Sequence, residues 1–250
     1  MSKLKTEFLI PFYESNKNGE VRPISIIRYL GEASEIHSEN QNIGIDELRK
    51  NNHGWILYKW KVKIDKYPKV RDKIIIETWT SSFYKFYAYR EFMIYDNNMN
   101  EIGRARSLWI FLDTKRKRPT RIPKEFNKIY DFVDERVFDD FWDLKKEIEI
   151  AGKVDFHIRK SDIDYNNHVN NSNYLEWILE TLPLKLENEY FLNEFEILYK
   201  QESLYGERII SYSDEGNHLE DRLVFNHKII NKKDKEERTL ARTVWKERNK

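Results

Sequence analysis

The chain has 250 residues, with 44 lysines and arginines against 43 aspartates and glutamates, and so a net charge of +1. That balance gives no global argument for a nucleic-acid or membrane-surface partner. The absence of cysteine excludes disulfides, cysteine-ligated metals and any thiol nucleophile. The length suits one large domain or two of about 100–150 residues, and 7 Trp, 15 Tyr and 14 Phe can fill a substantial core. The longest apolar run, Leu108–Leu112, is far shorter than the roughly 20 residues of a membrane-spanning helix. Met1-Ser-Lys-Leu-Lys-Thr-Glu7 lacks a signal-peptide core, so a cytoplasmic location is the default expectation. The eight glycines lie at least ten residues apart, which leaves no Gly-rich phosphate loop or G-x-S-x-G elbow. No nucleotide or other cofactor is expected.

In chain order, a short strand is predicted at Phe8–Tyr13, followed by a polar turn and one helix containing Arg28–Glu35. Strands rich in Val, Ile, Tyr, Phe and Trp follow at Ile56–Ile64, Lys73–Ser81, Tyr84–Tyr95 and Glu101–Leu112, with a hairpin loop at Asp96–Asn100. Residues 128–150 mix acidic and aromatic side chains and read as a linker that packs down, since a free one would not carry Phe138, Phe141 and Trp142. The pattern then recurs. A strand at Val154–Arg159 leads through a polar run into a helix, and strands follow at Phe195–Gln201, Glu207–Tyr212, Asp221–Ile230 and Arg238–Lys246, with a loop at Asn231–Glu237.

Three alignments tie the halves together. Arg28–Glu35 lies on Asn173–Glu180 at an offset of 145, Lys66–Ile74 on Gln201–Ile209 at 135, and Arg104–Trp109 on Leu240–Trp245 at 136. The drop in offset assigns the first copy about ten extra residues after its helix, supplied by Gly44–Gly54. One helix against a meander of antiparallel strands is an α+β arrangement with the sheet wrapped on the helix. The expected layout is an N-terminal domain over residues 1–127, a linker over 128–150 and a C-terminal domain over 151–250.

The most informative stretch is Asp162–Glu180, a run of short polar residues feeding an apolar helix. Read as extended chain, Asp164, Asn166 and His168 share one face, with Tyr165 and Asn167 on the other. Histidine exchanges a proton near neutral pH. Asparagine can donate to a developing oxyanion, and a carboxylate can orient or stabilise a neighbouring charge. Asn170, Asn171 and Ser172 are all N-cap candidates. An ordinary turn and cap would also use such residues, but the repeat argues otherwise. At the offset of 145, the first copy carries Gly19, Val21 and Pro23 opposite Asp164, Asn166 and His168. The fold therefore does not require them. The same logic selects Glu202, whose counterpart is Tyr67. His37, His53, His157, His218 and His227 show no metal-ligand spacing, so no metal is expected. Lys115, Arg116, Lys117, Arg118 and Arg121 form the one dense basic cluster.

Asp162–Glu180 resembles the acyl-acyl carrier protein thioesterases of plants and bacteria, whose marker is a D-x-D-x-N-x-H-V-N-N-x-x-Y-x-x-W-I-L-E run. Lys63–Pro68, Ile76–Trp79 and Arg121–Glu125 resemble the family too. The resemblance implies two tandem hotdog domains, the first holding the acyl chain and the second the chemistry. It places the catalytic residues at Asp164, Asn166, His168 and Glu202. It further implies hydrolysis of fatty acyl-acyl carrier protein without cofactor or metal, with water activated or a carboxylate attacking. The basic cluster would then dock the acidic carrier protein. Plant members commonly have Cys after the catalytic Glu, where this chain has Ser203, so a thiol mechanism cannot operate and Ser203 is a minor alternative nucleophile. An acyl-CoA thioesterase, a hydratase or dehydratase on the same fold, and a non-catalytic acyl-binding sensor are the competing readings. A tandem pair supplies internally the pairing that single hotdog domains gain by dimerising, which allows either a monomer or a homodimer.

Overall fold

The computed structural model describes residues 2–248, and the chain divides between Asp140 and Phe141 into two compact units. In the first, β1 (Lys3–Leu9) leads through a single 3-10 turn (Phe12–Glu14) into α1 (Pro23–Asn40). The expected strand at Phe8–Tyr13 thus lies earlier, because Pro11 lacks the N–H a ladder needs and the chain turns there. Pro23 opens α1 at a position where its missing N–H costs nothing. Ile24, Ile27, Leu30, Ser34 and His37 recur at three- and four-residue steps and are all buried. There follow α2 (Ile45–Lys50), β2 (His53–Ile64), β3 (Lys73–Tyr84), β4 (Tyr87–Asp96), β5 (Glu101–Asp113), the two-residue β6 (Arg118–Pro119) and α3 (Phe126–Ile129). The strands pair antiparallel in the order β1-β3-β4-β5-β2. Trp60, Ile74, Ile76, Trp79 and Phe92 form the deepest part of the core. A satellite cluster joins Ile43 and Leu48 to Phe111, Phe126 and Tyr130.

The second unit comprises β7 (Gly152–His157), a 3-10 turn (Lys160–Asp162), α4 (Asn171–Leu179), α5 (Leu186–Glu189), β8 (Tyr190–Tyr199), β9 (Arg208–Ser213), β10 (Asn217–Leu219), β11 (Arg222–Asn231) and β12 (Glu237–Glu247). Its main strands pair antiparallel in the order β7-β9-β11-β12-β8, the same order as the first unit, with β10 beside β11. The helix is the main difference: α1 has 18 residues and α4 only 9. Pro183, four residues past Leu179, bars any simple extension of α4. Tyr174, Leu175 and Ile178 are the buried face of the helix, which packs on β9 and β11, and the Tyr174 ring meets that of Tyr199 edge-on at 5.7 Å. Each unit is a helix laid on an antiparallel sheet, the α+β arrangement expected from the repeat and the double hotdog that the family resemblance implied.

The segment after α3 is tied down by buried polar groups. In the first unit, Trp79 Nε1 donates to the Glu135 carbonyl (2.9 Å), Arg106 Nη1 to that of Phe138 (2.8 Å) and Lys61 Nζ to that of Asp140 (2.8 Å). Arg106 is itself paired with fully buried Glu91 at 3.1 Å, and burial holds that carboxyl above the usual range. In the second unit, the Trp142 N–H donates to Glu196 Oε2 (2.7 Å) while the Arg242 guanidinium lies 4.7 Å from the Trp142 ring. Main-chain groups of this segment thus satisfy buried polar side chains of the sheets, although the segment itself has almost no regular structure.

Candidate active site

In the second unit the chain between β7 and α4 is a tight turn, not the extended run expected. The Asp164 N–H donates to the His168 carbonyl at 2.8 Å, and the Asn167 N–H to the Asp164 carbonyl at 3.0 Å. Asn167 takes the left-handed φ of 64° that closes the turn, a conformation asparagine tolerates. Asp164 Oδ1 accepts the Asn166 N–H at 2.8 Å, the local bond for which Asp and Asn are favoured in turns. The alternation that would have put Asp164, Asn166 and His168 on one face therefore does not hold. Beyond the turn, Asn170 is the N-cap of α4, its Oδ1 accepting from the Ser172 N–H (3.0 Å) and Oγ (2.7 Å).

Glu202 reaches this turn from just past the end of β8. The Val169 N–H donates to the Ser203 carbonyl at 3.0 Å, and beside that bond His168 Nε2 lies 3.1 Å from Glu202 Oε2. Both side chains are partly open to solvent, at 36% and 51%. The structure thus joins two of the four predicted residues side chain to side chain. Asp164 is in the same turn, but its carboxylate serves the Asn166 amide and makes no ion pair with His168 among the described residues. Asn166 is exposed on the turn. Ser203 has no accessible surface, which leaves its hydroxyl closed to a substrate.

The first unit contains the same turn, and it corrects the alignment of the helices. The isolated bridge Ile163–Val169 is matched by Ser15–Val21, which sets the offset at 148, not 145. Asn16, Asn18, Gly19 and Glu20 therefore stand opposite Asp164, Asn166, Asn167 and His168. Gly19 has φ 73° where Asn167 has 64°, and the Asn18 N–H bonds Asn16 Oδ1 at 2.9 Å. The Val21 N–H donates to the Pro68 carbonyl at 2.9 Å, placing Tyr67 opposite Glu202 as the offset of 135 predicts. The first unit thus keeps one of the asparagines and lacks the histidine and the glutamate. The pattern Asn-x-Asn-Gly against Asp-x-Asn-Asn was the available signal for the true offset.

Comparison with known proteins follows the same division. The model of the acyl-ACP thioesterase N-terminal domain matches residues 1–130, and that of the C-terminal domain matches residues 145–247. The chain belongs to the acyl-ACP thioesterase family. Among related proteins, the chloroplastic palmitoyl-acyl carrier protein thioesterase of Arabidopsis thaliana is 27% identical over 214 residues, covering 79% of this chain and 52% of the relative. The chloroplastic dodecanoyl-[acyl-carrier-protein] hydrolase of Cinnamomum camphora is 27% identical, covering 78% and 55%. The chain spans about half the length of these plant relatives. The double-hotdog fold of the family is matched by the putative oleoyl thioesterase of Lactobacillus plantarum (TM-score 0.91, 22% identity, 100% and 98% of the two chains). It is matched also by an acyl-ACP thioesterase of Bacteroides thetaiotaomicron (TM-score 0.87, 22% identity, 98% of each).

Elsewhere in this family member, Lys115, Arg116, Lys117, Arg118 and Arg121 sit in the first unit at and beyond the turn joining β5 to β6, all exposed. Asp113 anchors that turn, accepting the Arg116 N–H at 2.9 Å and facing its guanidinium at 3.7 Å. Of the remaining histidines, His37 lies buried 2.8 Å from Arg90 Nη1, and His227 is buried with Nε2 2.8 Å from Thr243 Oγ1. Burial pushes the His227 imidazole down to about 3. Among the described residues no cluster of His, Asp and Glu could hold a metal ion, and no helix is long and apolar enough to cross a membrane.

Proposed function

We propose that this protein hydrolyses the thioester of fatty acyl-acyl carrier protein, releasing free fatty acid and carrier protein, at the His168–Glu202 pair. The observation that carries the reading is the 3.1 Å contact between these side chains, in the one unit whose turn has exchanged Glu20 and Tyr67 for them. A carboxylate only accepts hydrogen bonds, so the hydrogen of neutral His168 sits on Nε2 and its Nδ1 is the basic atom. Water loses its proton to that nitrogen as its oxygen adds to the thioester carbonyl. The tetrahedral oxyanion is met by the side-chain amide of Asn166. Collapse breaks the C–S bond, and the imidazolium returns its proton to the departing thiolate. A thiolate is a weakly basic leaving group, so no stronger acid is required. Asp164 holds the turn that carries Asn166 and His168.

The first unit, which lacks the pair, takes the acyl chain. The exposed Lys115–Arg121 cluster docks the acidic carrier protein. The testing experiment is release of free thiol from a panel of acyl carrier protein and coenzyme A thioesters of graded chain length. Carrier-protein substrates should be cleaved, with a KM that rises with salt, as it must for docking by exposed charge. Replacing the five basic residues by Ala should remove most of that salt dependence. Failure to cleave any thioester would sink the proposal.

A further inference from the structure

The surface beside the His168–Glu202 pair carries side chains that neither the turn nor the hydrolysis explains. Tyr165, Leu204 and Tyr205 are large and apolar, yet 71%, 48% and 57% exposed. Tyr165 stands three residues before His168, and Leu204 and Tyr205 follow Ser203 directly. Two backbone bonds lay these loops side by side: Val169 N–H to the Ser203 carbonyl (3.0 Å) and Gly206 N–H to the Ile158 carbonyl (3.2 Å). Next to Ile158 come two exposed cations, Arg159 and Lys160. Arg159 is held by Asp162 at 2.9 Å, whereas Lys160 makes no ion pair among the described residues.

The first unit repeats the backbone of this region but not its surface. There the Arg71 N–H bonds the Ile10 carbonyl at 3.0 Å, matching Gly206 and Ile158. The side chains opposite Tyr165, Leu204 and Tyr205 are Lys17, Lys69 and Val70, and those opposite Arg159 and Lys160 are Pro11 and Phe12. Apolar and basic character is exchanged at four of these five positions, Tyr205 and Val70 being apolar in both units, so the fold does not demand this surface.

We propose that Tyr165, Leu204, Tyr205 and Lys160 form the track for the thiol side of the substrate, a pantetheine arm ending in a phosphate. This rests on the thioesterase reading above. When the carbonyl is at His168 and Glu202, the sulfur substituent must run outward along the surface, because its far end is attached to a bulky carrier. Such an arm alternates amides with short apolar stretches. Exposed tyrosines suit it, offering an apolar ring and a hydroxyl that stays wet. Leu204 covers the methyl-bearing part. Lys160, with Arg159 behind it, meets the terminal phosphate through a charge-assisted contact.

The test uses one acyl group on four thiols: N-acetylcysteamine, pantetheine, 4′-phosphopantetheine and coenzyme A. In the full-length protein, the double variant Leu204→Ser/Tyr205→Ser should lower the ratio of kcat/KM for pantetheine over N-acetylcysteamine about tenfold, the effect of exposing one apolar side chain. Lys160→Ala should lower the ratio of phosphopantetheine over pantetheine by about threefold to tenfold. Ratios equal to wild type would overturn the proposal, as would losses that track acyl-chain length and ignore the arm, which would make the acyl chain the occupant. If the unaltered protein cleaves none of the four, the thioesterase reading itself fails. That outcome is distinct from cleavage with unchanged ratios.

Discussion

The turn from Asn16 to Val21 and the turn from Asp164 to Val169 make corresponding hydrogen bonds whose lengths agree to about 0.1 Å. The Asx bond measures 2.9 and 2.8 Å, the closing amide 2.7 and 2.8 Å, and the amide tether to the following loop 2.9 and 3.0 Å. Yet one turn presents Glu20 toward a loop that carries Tyr67, and the other presents His168 to Glu202. Asp164 and its first-unit partner Asn16 do the same structural work, whereas His168 and Glu202 have no structural work that Glu20 and Tyr67 fail to do. The contrast separates residues that build the turn from residues that it only presents.

The sharpest way to break that contrast is to remove the pair. His168→Ala or Glu202→Ala should lower kcat by two or more orders of magnitude, while Glu20→Ala or Tyr67→Phe in the first unit should change it less than threefold. Comparable losses in both units, measured by thiol release, would mean the chemistry is not confined to the second. Next in size is a pH effect at His227, which stands where the first unit has Phe92. Burial holds its imidazole down at about 3, so the folded chain keeps it neutral while the unfolded chain takes up a proton below about pH 6.5. Stability present above that pH is lost as pH falls toward 3, by up to about 1.4 kcal/mol per unit. Between pH 7 and pH 5, urea titrations should show wild type losing about 2 kcal/mol more than His227→Phe; parallel losses would disprove the assignment.

At the turn itself, Asn167→Gly, the residue the first unit uses, should be nearly neutral. Asn167→Val should cost about 1–2 kcal/mol, since a β-branched side chain resists the left-handed region; equal midpoints in thermal melts would deny that strain. The smallest effect is the most discriminating. Asp164→Asn copies Asn16 and keeps the Asx bond, so stability should stay within about 0.5 kcal/mol. Any fall in kcat then measures the carboxylate's charge alone, and a cost near 1 kcal/mol would show that the charge holds the turn.

The strand repeat was legible in the sequence because its anchors are side chains engaged in the same local bond. Trp109 Nε1 donates to Ser107 Oγ at 2.7 Å, and Trp245 Nε1 to Thr243 Oγ1 at 3.1 Å. Those positions need an indole and a hydroxyl, so the offset of 136 survives in the letters. The turns are held mainly by backbone groups, which many small polar residues permit, and the helix letters suggested an offset three residues too short. The extended reading of Asp164–His168 failed for a related reason: period-two alternation says nothing once a left-handed residue such as Asn167 reverses the chain. The pairing of His168 with Glu202 was reached by comparing halves, since 33 intervening residues hide it from any local pattern.

The amide tether from Val169 to Ser203, and its double from Val21 to Pro68, has a consequence for how such a chain changes over generations. A main-chain bond fixes the gap between two loops whatever side chains hang from them, so the scaffold tolerates drift at the flanking positions without losing its gauge. Once duplicated, one copy could surrender its reactive residues or acquire new ones by single replacements. Glu20→His with Tyr67→Glu would hang the same two groups on the first unit's turn and loop, whose backbone matches that of the second.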